Sequence, residues 1–438
     1  MIYLKNKKNY SRLFILVFFG SLLSCTTTKV KQTTVGLGWS NNSVNTVKFR
    51  KNALTSFGDF QFIAYYDPEG YVVLGKRNHK DTQWQIQKTT LKGNTKDAHN
   101  DISIAVDGKG FLHLSWDHHN TPLRYTKSIK PLELGLEPEQ SMTGLEEKKV
   151  SYPEFYNLPN GNLMFLYRSG GSGKGNLLVN EYNATTQKWG QLHKNLIDGQ
   201  EKRSAYWQTC VDKKGTIHLS WVWRETWDVD SNHDMCYARS NDGGHTWEKS
   251  NGEKYQLPIT AATAEYAWKI NQKSSLINQT AITTDAQGNP FIATYWSENG
   301  TPQFQVIYLN EGKWNKLNSG FRKTPFYLGG GGTKKILIAR PDILIDQSIV
   351  YLLFRDEERG NKISMAYCNW QQKTDWKIVD LDKQVVNQWE PNYDIELWNR
   401  KKMLHLFVQQ VNQVDSEGVS KSTPTTVSVL EWNELPKK

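Results

Sequence analysis

The chain has 438 residues and a formal net charge of +10, and is 38% hydrophobic, 22% charged and 12% aromatic. With 17 Trp, 20 Tyr and 16 Phe it is not a disordered chain, which lacks the rings needed to bury a core. Gly and Pro recur without a period and no long heptad run is present, which excludes collagen-like and coiled-coil architectures.

The N-terminus is cationic (Lys5, Lys7, Lys8, Arg12) and leads into a largely apolar run from Leu13 to Leu23. That run is too short to span a bilayer, which takes about 20 residues, and reads instead as a secretory leader. The ending Leu22-Leu23-Ser24-Cys25 resembles a bacterial lipobox, in which the Cys is lipidated. Residues 1–24 are therefore expected to be a signal peptide, Cys25 an acylated anchor, and residues 25–50 a polar tether. The mature protein would be an exported lipoprotein on the outer membrane or cell surface of a Gram-negative bacterium.

Loss of the leader removes four basic residues and no acid, so the net charge falls from +10 to +6. A mild positive excess steers an anionic partner. For an exported protein this is an acidic polysaccharide rather than nucleic acid. A monomer is expected. Cys210, Cys236 and Cys368 are too few for a disulfide framework, so packing must hold the fold.

From Asn52 onward, short runs rich in β-branched and aromatic residues alternate with Gly, Asn and Asp turns. Units are read at Phe62–Leu91, Ile102–Lys127, Tyr152–Leu192, Tyr206–Trp247 and Thr280–Trp314, with weaker copies at Ile343–Trp376 and Ile395–Trp432. Leu-Ser-Trp recurs at 114–116 and 219–221. Seven such units predict an all-β, seven-bladed β-propeller of four-stranded antiparallel blades, a single domain over residues 51–438. Ser240-Asn241-Asp242-Gly243-Gly244-His245-Thr246-Trp247 resembles the Asp-box of sialidase-like and BNR-repeat propellers, a mark of fold and not of chemistry.

In a propeller, residues just before the first strand of a blade and just after the second converge on one mouth of the channel. The rule selects His99, Asp117, His118 and His119 in the second blade, Tyr152, Tyr167 and Arg168 in the third, and Tyr206, Trp207, Trp223, Arg224 and Glu225 in the fourth. Tyr295 and Trp296 follow in the fifth. His and Tyr supply acid–base groups, and Arg grips carboxylate or sulfate with paired hydrogen bonds. The alternative for Arg168 and Arg224 is an ion pair with a blade acid such as Glu225. His113 and His218 share a mid-strand position before Leu-Ser-Trp, for which a structural role is the first reading.

Other motifs carry less. Gly170-Gly171-Ser172-Gly173-Lys174-Gly175 has no Ser or Thr after its Lys and no helix pattern, so it is no phosphate loop. Gly329 to Gly332 reads as a flexible loop near the mouth. No cofactor is required. Cys210, His218 and Cys236, on three neighbouring strands, are weak candidates for a structural metal ion.

His99-Asn100-Asp101-Ile102-Ser103, His113-Leu114-Ser115-Trp116-Asp117-His118-His119-Asn120 and Leu123-Arg124-Tyr125 together resemble the BNR-repeat propellers that include ulvan lyases, polysaccharide lyase families 25 and 24. The resemblance covers the seven units. It implies a site of two His fourteen residues apart and a Tyr sixteen residues before an Arg, spacings met by His99 with His113 and by Tyr152 with Arg168. It implies eliminative cleavage of ulvan, a sulfated rhamnose–uronic acid polymer. Arg168 would neutralise the uronate, Tyr152 or His113 would move the C5 proton, and His99 and Tyr206 would orient. Arg224, His119 and His118 would hold a sulfate or a neighbouring sugar. The rivals are a sialidase-like hydrolase, with Arg168, Arg224 and Arg340 as an arginine triad, and a non-catalytic glycan-binding lipoprotein.

Overall fold

The structure, a computed structural model, describes residues 30–49, 52–432 and 435–436. The leader and Cys25 lie outside them. Seven antiparallel sheets follow one another around a ring: residues 54–92, 102–127, 150–197, 204–268, 281–318, 342–385, and a last one of residues 404–432 with 31–38. This is the seven-bladed propeller that the repeats predict.

The fourth blade shows why the sequence folds this way. Its two inner strands, Ser204–Val211 and Ile217–Arg224, pair without a slip from Ser204 opposite Arg224 to Val211 opposite Ile217. Blades pack on both of its faces, so every residue of Ile217–Arg224 is buried and the run reads as nearly continuous rings and aliphatics. The turn between the strands is closed by Asp212, whose Oδ1 accepts from the backbone N–H of Lys214 and Thr216 at 2.8 and 2.9 Å. Gly215 takes the left-handed conformation that this turn needs, at φ 89°. The Asp-box lies on the hairpin after Asn232–Ser240, at the end of the blade far from the mouth. There Asp242 accepts from the N–H of Thr246 at 2.9 Å, and Trp247 is buried.

Three boundaries differ from the sequence reading. The stretch expected to be a tether enters the fold: Lys31–Gly38 is the outer strand of the last blade, paired from Lys31 opposite Glu431 to Gly38 opposite Thr425. The N-terminus thus closes the ring, and residues 39–49 run from that strand to the mouth with Val44, Val47 and Phe49 buried. Its polar composition hid this, because an outer strand buries only alternate residues. The first blade begins one strand earlier than the repeat at Phe62–Leu91, with Leu54–Phe57 as its inner strand. In the last repeat Ile395–Lys401 is a short helix capped by Asp394, not a strand.

A protein starting at residue 51 should therefore lack the closing strand and three buried side chains worth about 1.5–3 kcal/mol each. We predict that it unfolds at clearly lower temperature than one starting at residue 26, measured by calorimetry. Equal midpoints would show that the N-terminal strand is dispensable.

Candidate functional site

Six of the residues picked out by the mouth rule do meet there, joined by Phe49 from the closing segment. The second blade supplies His99, from the loop before Ile102–Val106, and His119, which opens His119–Thr121. That short strand crosses to the third blade, where His119 pairs with Ser151. Tyr152 stands at a register shift between Ser151 and Glu154, with φ +57°. A ring-bearing residue adopts that conformation only when its surroundings enforce it, and a bulge re-aims its side chain. Arg168 is the penultimate residue of Leu163–Ser169, opposite Ser151, and Arg224 ends the fourth blade's second strand opposite Ser204.

The two arginines define the site. Arg168 is 1% exposed and Arg224 8%, yet among the described residues no carboxylate pairs with either. Arg168 donates to Gly170 O at 3.0 Å and to Tyr206 Oη and Ser151 Oγ at 3.3 Å each, and lies over the ring of Tyr152 at 4.8 Å. The Gly170–Gly175 loop folds around it: a Cβ on Gly175 would lie 2.5 Å from the Arg168 side chain. Arg224 donates to the carbonyls of Thr226 and Trp227 and lies over the ring of Tyr206 at 5.5 Å. Glu225, the expected acid partner, is held instead by Arg203 and His233, each at 2.7 Å. Two buried cations satisfied by neutral groups make a receptor for an anion.

Opposite them stands a proton-holding group. Asp97 accepts from Nδ1 of His119 at 2.6 Å and of His99 at 2.8 Å, and Glu417 Oε1 lies 3.3 Å from the same His99 nitrogen. The imidazoles stack at 4.1 Å, with Phe49 stacked on the far face of His99 at 5.1 Å. Burial alone would lower the His99 pKa, but the bonds to Asp97 and Glu417 outweigh it and raise it to about 9. Burial likewise would raise Asp97, but His119 and His99 hold its carboxyl far below the usual range. His119 is lowered, by burial first and then by the charge on His99. At neutral pH this end of the site therefore holds an imidazolium on His99. Among the described residues nothing bonds Nε2 of either ring.

The tyrosines complete the site. The rings of Tyr152 and Tyr206 lie 5.9 Å apart. Burial would raise Tyr206, but Arg224 and Arg168, with the Ser172 hydroxyl at 3.1 Å, bring it down to about 8. Tyr152 moves up, by burial and then by the charge of Tyr206, so the pair gives up one proton and the charge settles on Tyr206. Among the described residues no group hydrogen-bonds the Tyr152 hydroxyl.

Several predicted residues lie elsewhere. His113 is fully buried away from the mouth, with Nδ1 2.8 Å from Tyr125 Oη and Nε2 3.3 Å from Asp107 of the blade turn. His218 repeats this in the fourth blade with Tyr237 and Asp212. Both are structural, and the partner of His99 is His119, not His113. His118 is buried too: its Nε2 accepts from the Arg124 N–H at 2.7 Å, and burial, then Arg124, hold its pKa down to about 3, so it is no substrate ligand. Cys210, His218 and Cys236 do not converge as a metal site, because both ring nitrogens of His218 are engaged and Cys236 lies buried with its thiol pKa pushed up by burial. Asp97, His99 and His119 do offer three ligand atoms within 4.8 Å of one another. The two Nδ1 atoms are, however, both taken up by the Asp97 carboxylate in a proton-sharing arrangement. Arg340 belongs to Glu390 at 2.9 Å, so no arginine triad forms. Sequence reasoning missed Asp97, Phe49, Ser172 and Glu417. Only Asp97 carried a signal, sitting two residues from His99 before the same strand.

A family profile described as BNR repeat-containing family member matches residues 60–320. No curated protein matches the chain significantly. Among solved structures, polysaccharide lyase Uly1 is similar with a TM-score of 0.68 at 15% identity, over 92% of this chain and 99% of that one. A PL25 ulvan lyase gives 0.67 at 15% identity, over 91% and 97%. A PL25 ulvan lyase bound to -[GlcA(1-4)Rha3S]- gives 0.66 at 15% identity, over 90% and 97%. At such identity these likenesses speak for the fold. The profile, in contrast, spans more than half of the sequence, and the chain belongs to the BNR repeat-containing family.

Proposed function

We propose that the protein is a polysaccharide lyase that cleaves an ulvan-type sulfated uronic-acid polymer by β-elimination. The observation that carries this reading is the pair of buried guanidiniums without a carboxylate partner, facing a tyrosine pair and an imidazolium. Arg168 and Arg224 receive the uronate carboxylate and stabilise the charge that spreads onto it as the C5–H bond breaks. The Tyr152–Tyr206 pair, which has given up one proton and carries its charge on Tyr206, accepts the C5 proton there. The C4–O4 bond breaks, a C4–C5 double bond forms, and His99 gives its proton to the departing O4. Asp97 and Glu417 keep His99 protonated, and His119 stacks beside it to hold its ring. The propeller likeness to ulvan lyases supports this reading. The hydrolase rival loses its arginine triad to Glu390.

Incubation with ulvan should produce ultraviolet-absorbing unsaturated uronate at new non-reducing ends. Products with water added across the bond would reject elimination. Arg168→Lys keeps the charge but loses the forked geometry, and should lower turnover by about 10²–10³ with little change in thermal midpoint. Near-normal turnover in this variant would remove Arg168 from the role.

The pH dependence follows from the two shifted groups. The tyrosine pair must be deprotonated, so kcat/KM rises through about 8, and His99 must stay protonated, so it falls above about 9. The maximum lies between them. Asp97→Asn removes the main bond that raises His99, so the alkaline limb should move to lower pH. An unmoved limb would show that Asp97 does not hold the proton of His99.

We also propose that the protein is an exported lipoprotein anchored through Cys25, on the strength of Leu22-Leu23-Ser24-Cys25. The wild type should fractionate with membranes, and Cys25→Ala should release it or block processing. A wild type found wholly in the medium would overturn the anchor.

A further inference from the structure

Among the described residues, Trp227 and Tyr327 are the two Trp, Tyr or Phe side chains that lie mostly in solvent, 66% and 63% exposed, the others being buried or half-buried. They stand on two loops fastened to each other. Tyr327 Oη donates to Asp230 at 2.5 Å, Gly330 N–H to Asp228 at 2.7 Å, and Val229 N–H to Gly330 O at 2.9 Å. The glycines of this loop are shaped to the rings. A Cβ on Gly331 would lie 2.6 Å from the Trp227 ring, and one on Gly329 would lie 2.8 Å from Tyr327. Each ring is thus backed by bare backbone and held open to water, where leaving it exposed forgoes the burial a ring of that size gains elsewhere.

Both loops lead directly into the site. Arg224, stacked on Tyr206, donates to the carbonyl of Trp227. Two residues beyond Gly331, Thr333 Oγ1 lies 3.4 Å from Nδ1 of His99. The rings therefore sit at the rim between the anion-binding arginines and the imidazolium. A pyranose ring presents a face of C–H groups that fits an aromatic face, while its hydroxyls and sulfates remain in water.

We propose that Trp227 and Tyr327 form a stacking platform for a sugar flanking the uronate bound at Arg168 and Arg224, so that the mouth grips a polymer over more than one residue. This rests on the proposed function, since the polymer is the one read from the arginines.

The test uses Tyr206→Phe protein, which lacks the charged hydroxyl and should bind without cleaving, run in affinity electrophoresis through gels containing ulvan. Adding Trp227→Ala should weaken polymer binding by about tenfold, the size of effect an anchoring ring commonly carries. Trp227→Phe should keep most of the affinity. In the active protein, Trp227→Ala should reduce kcat/KM more on the polymer than on the shortest cleavable fragment. Because the ring is exposed, the thermal midpoint serves as a fold control and should not move. Polymer bound equally by the Trp227→Ala protein would overturn the platform and leave the lyase reading standing. A parent protein that neither binds nor cleaves the polymer would overturn both.

Discussion

A guanidinium removed from water loses several kcal/mol of hydration, which an opposite charge normally offsets. Arg168 is buried at the mouth of this propeller with no carboxylate beside it among the described residues. Its hydrogen bonds end on a glycine carbonyl, a serine and a tyrosine, and its faces meet rings. Much of the surrounding structure follows from that burden. Position 175 of the loop beside Arg168 must be glycine, because a single added carbon there would strike it. Tyr206 becomes acidic because two cations flank it. The missing counter-ion is left for something that enters from outside.

The opposite charge has been gathered at the other end of the same mouth. Asp97 and Glu417 converge on His99, while Glu225, next to Arg224 in the chain, is drawn off to Arg203 and His233. The site is therefore polarised, with a base-favouring end and an acid-favouring end. Neither end depends on an unusual residue type. Position and the sorting of partners create the difference, which is why fold alone does not assign chemistry.

The sequence showed the ring, its number of blades and its Asp-box, because most blade turns combine Gly with Asp or Asn, residues that suit a tight left-handed turn. It also showed His99, His119, Tyr152, Arg168, Tyr206 and Arg224, because the phase of a strand places its end residues at one mouth. It misled at His113, where a spacing match outweighed the parallel with His218. That parallel was the better guide, since both imidazoles bridge a blade-turn Asp to a Tyr of the third strand. Phe49 and Glu417 were illegible. They reach the mouth through ring closure and a long loop, which are tertiary events with no local pattern, and the polar look of residues 25–50 concealed a strand.

Closure by the N-terminal strand also bears on how the protein faces its surroundings. The strand runs from Lys31 at the end of the ring opposite the mouth to Gly38, from which residues 39–49 reach the mouth. Cys25 precedes Lys31 by six residues, a span of at most about 20 Å. Acylation at Cys25 would therefore hold the floor of the propeller against the lipid headgroups and turn the arginines outward. Long, anionic chains could then approach from the open side without first passing between the protein and a negatively charged membrane.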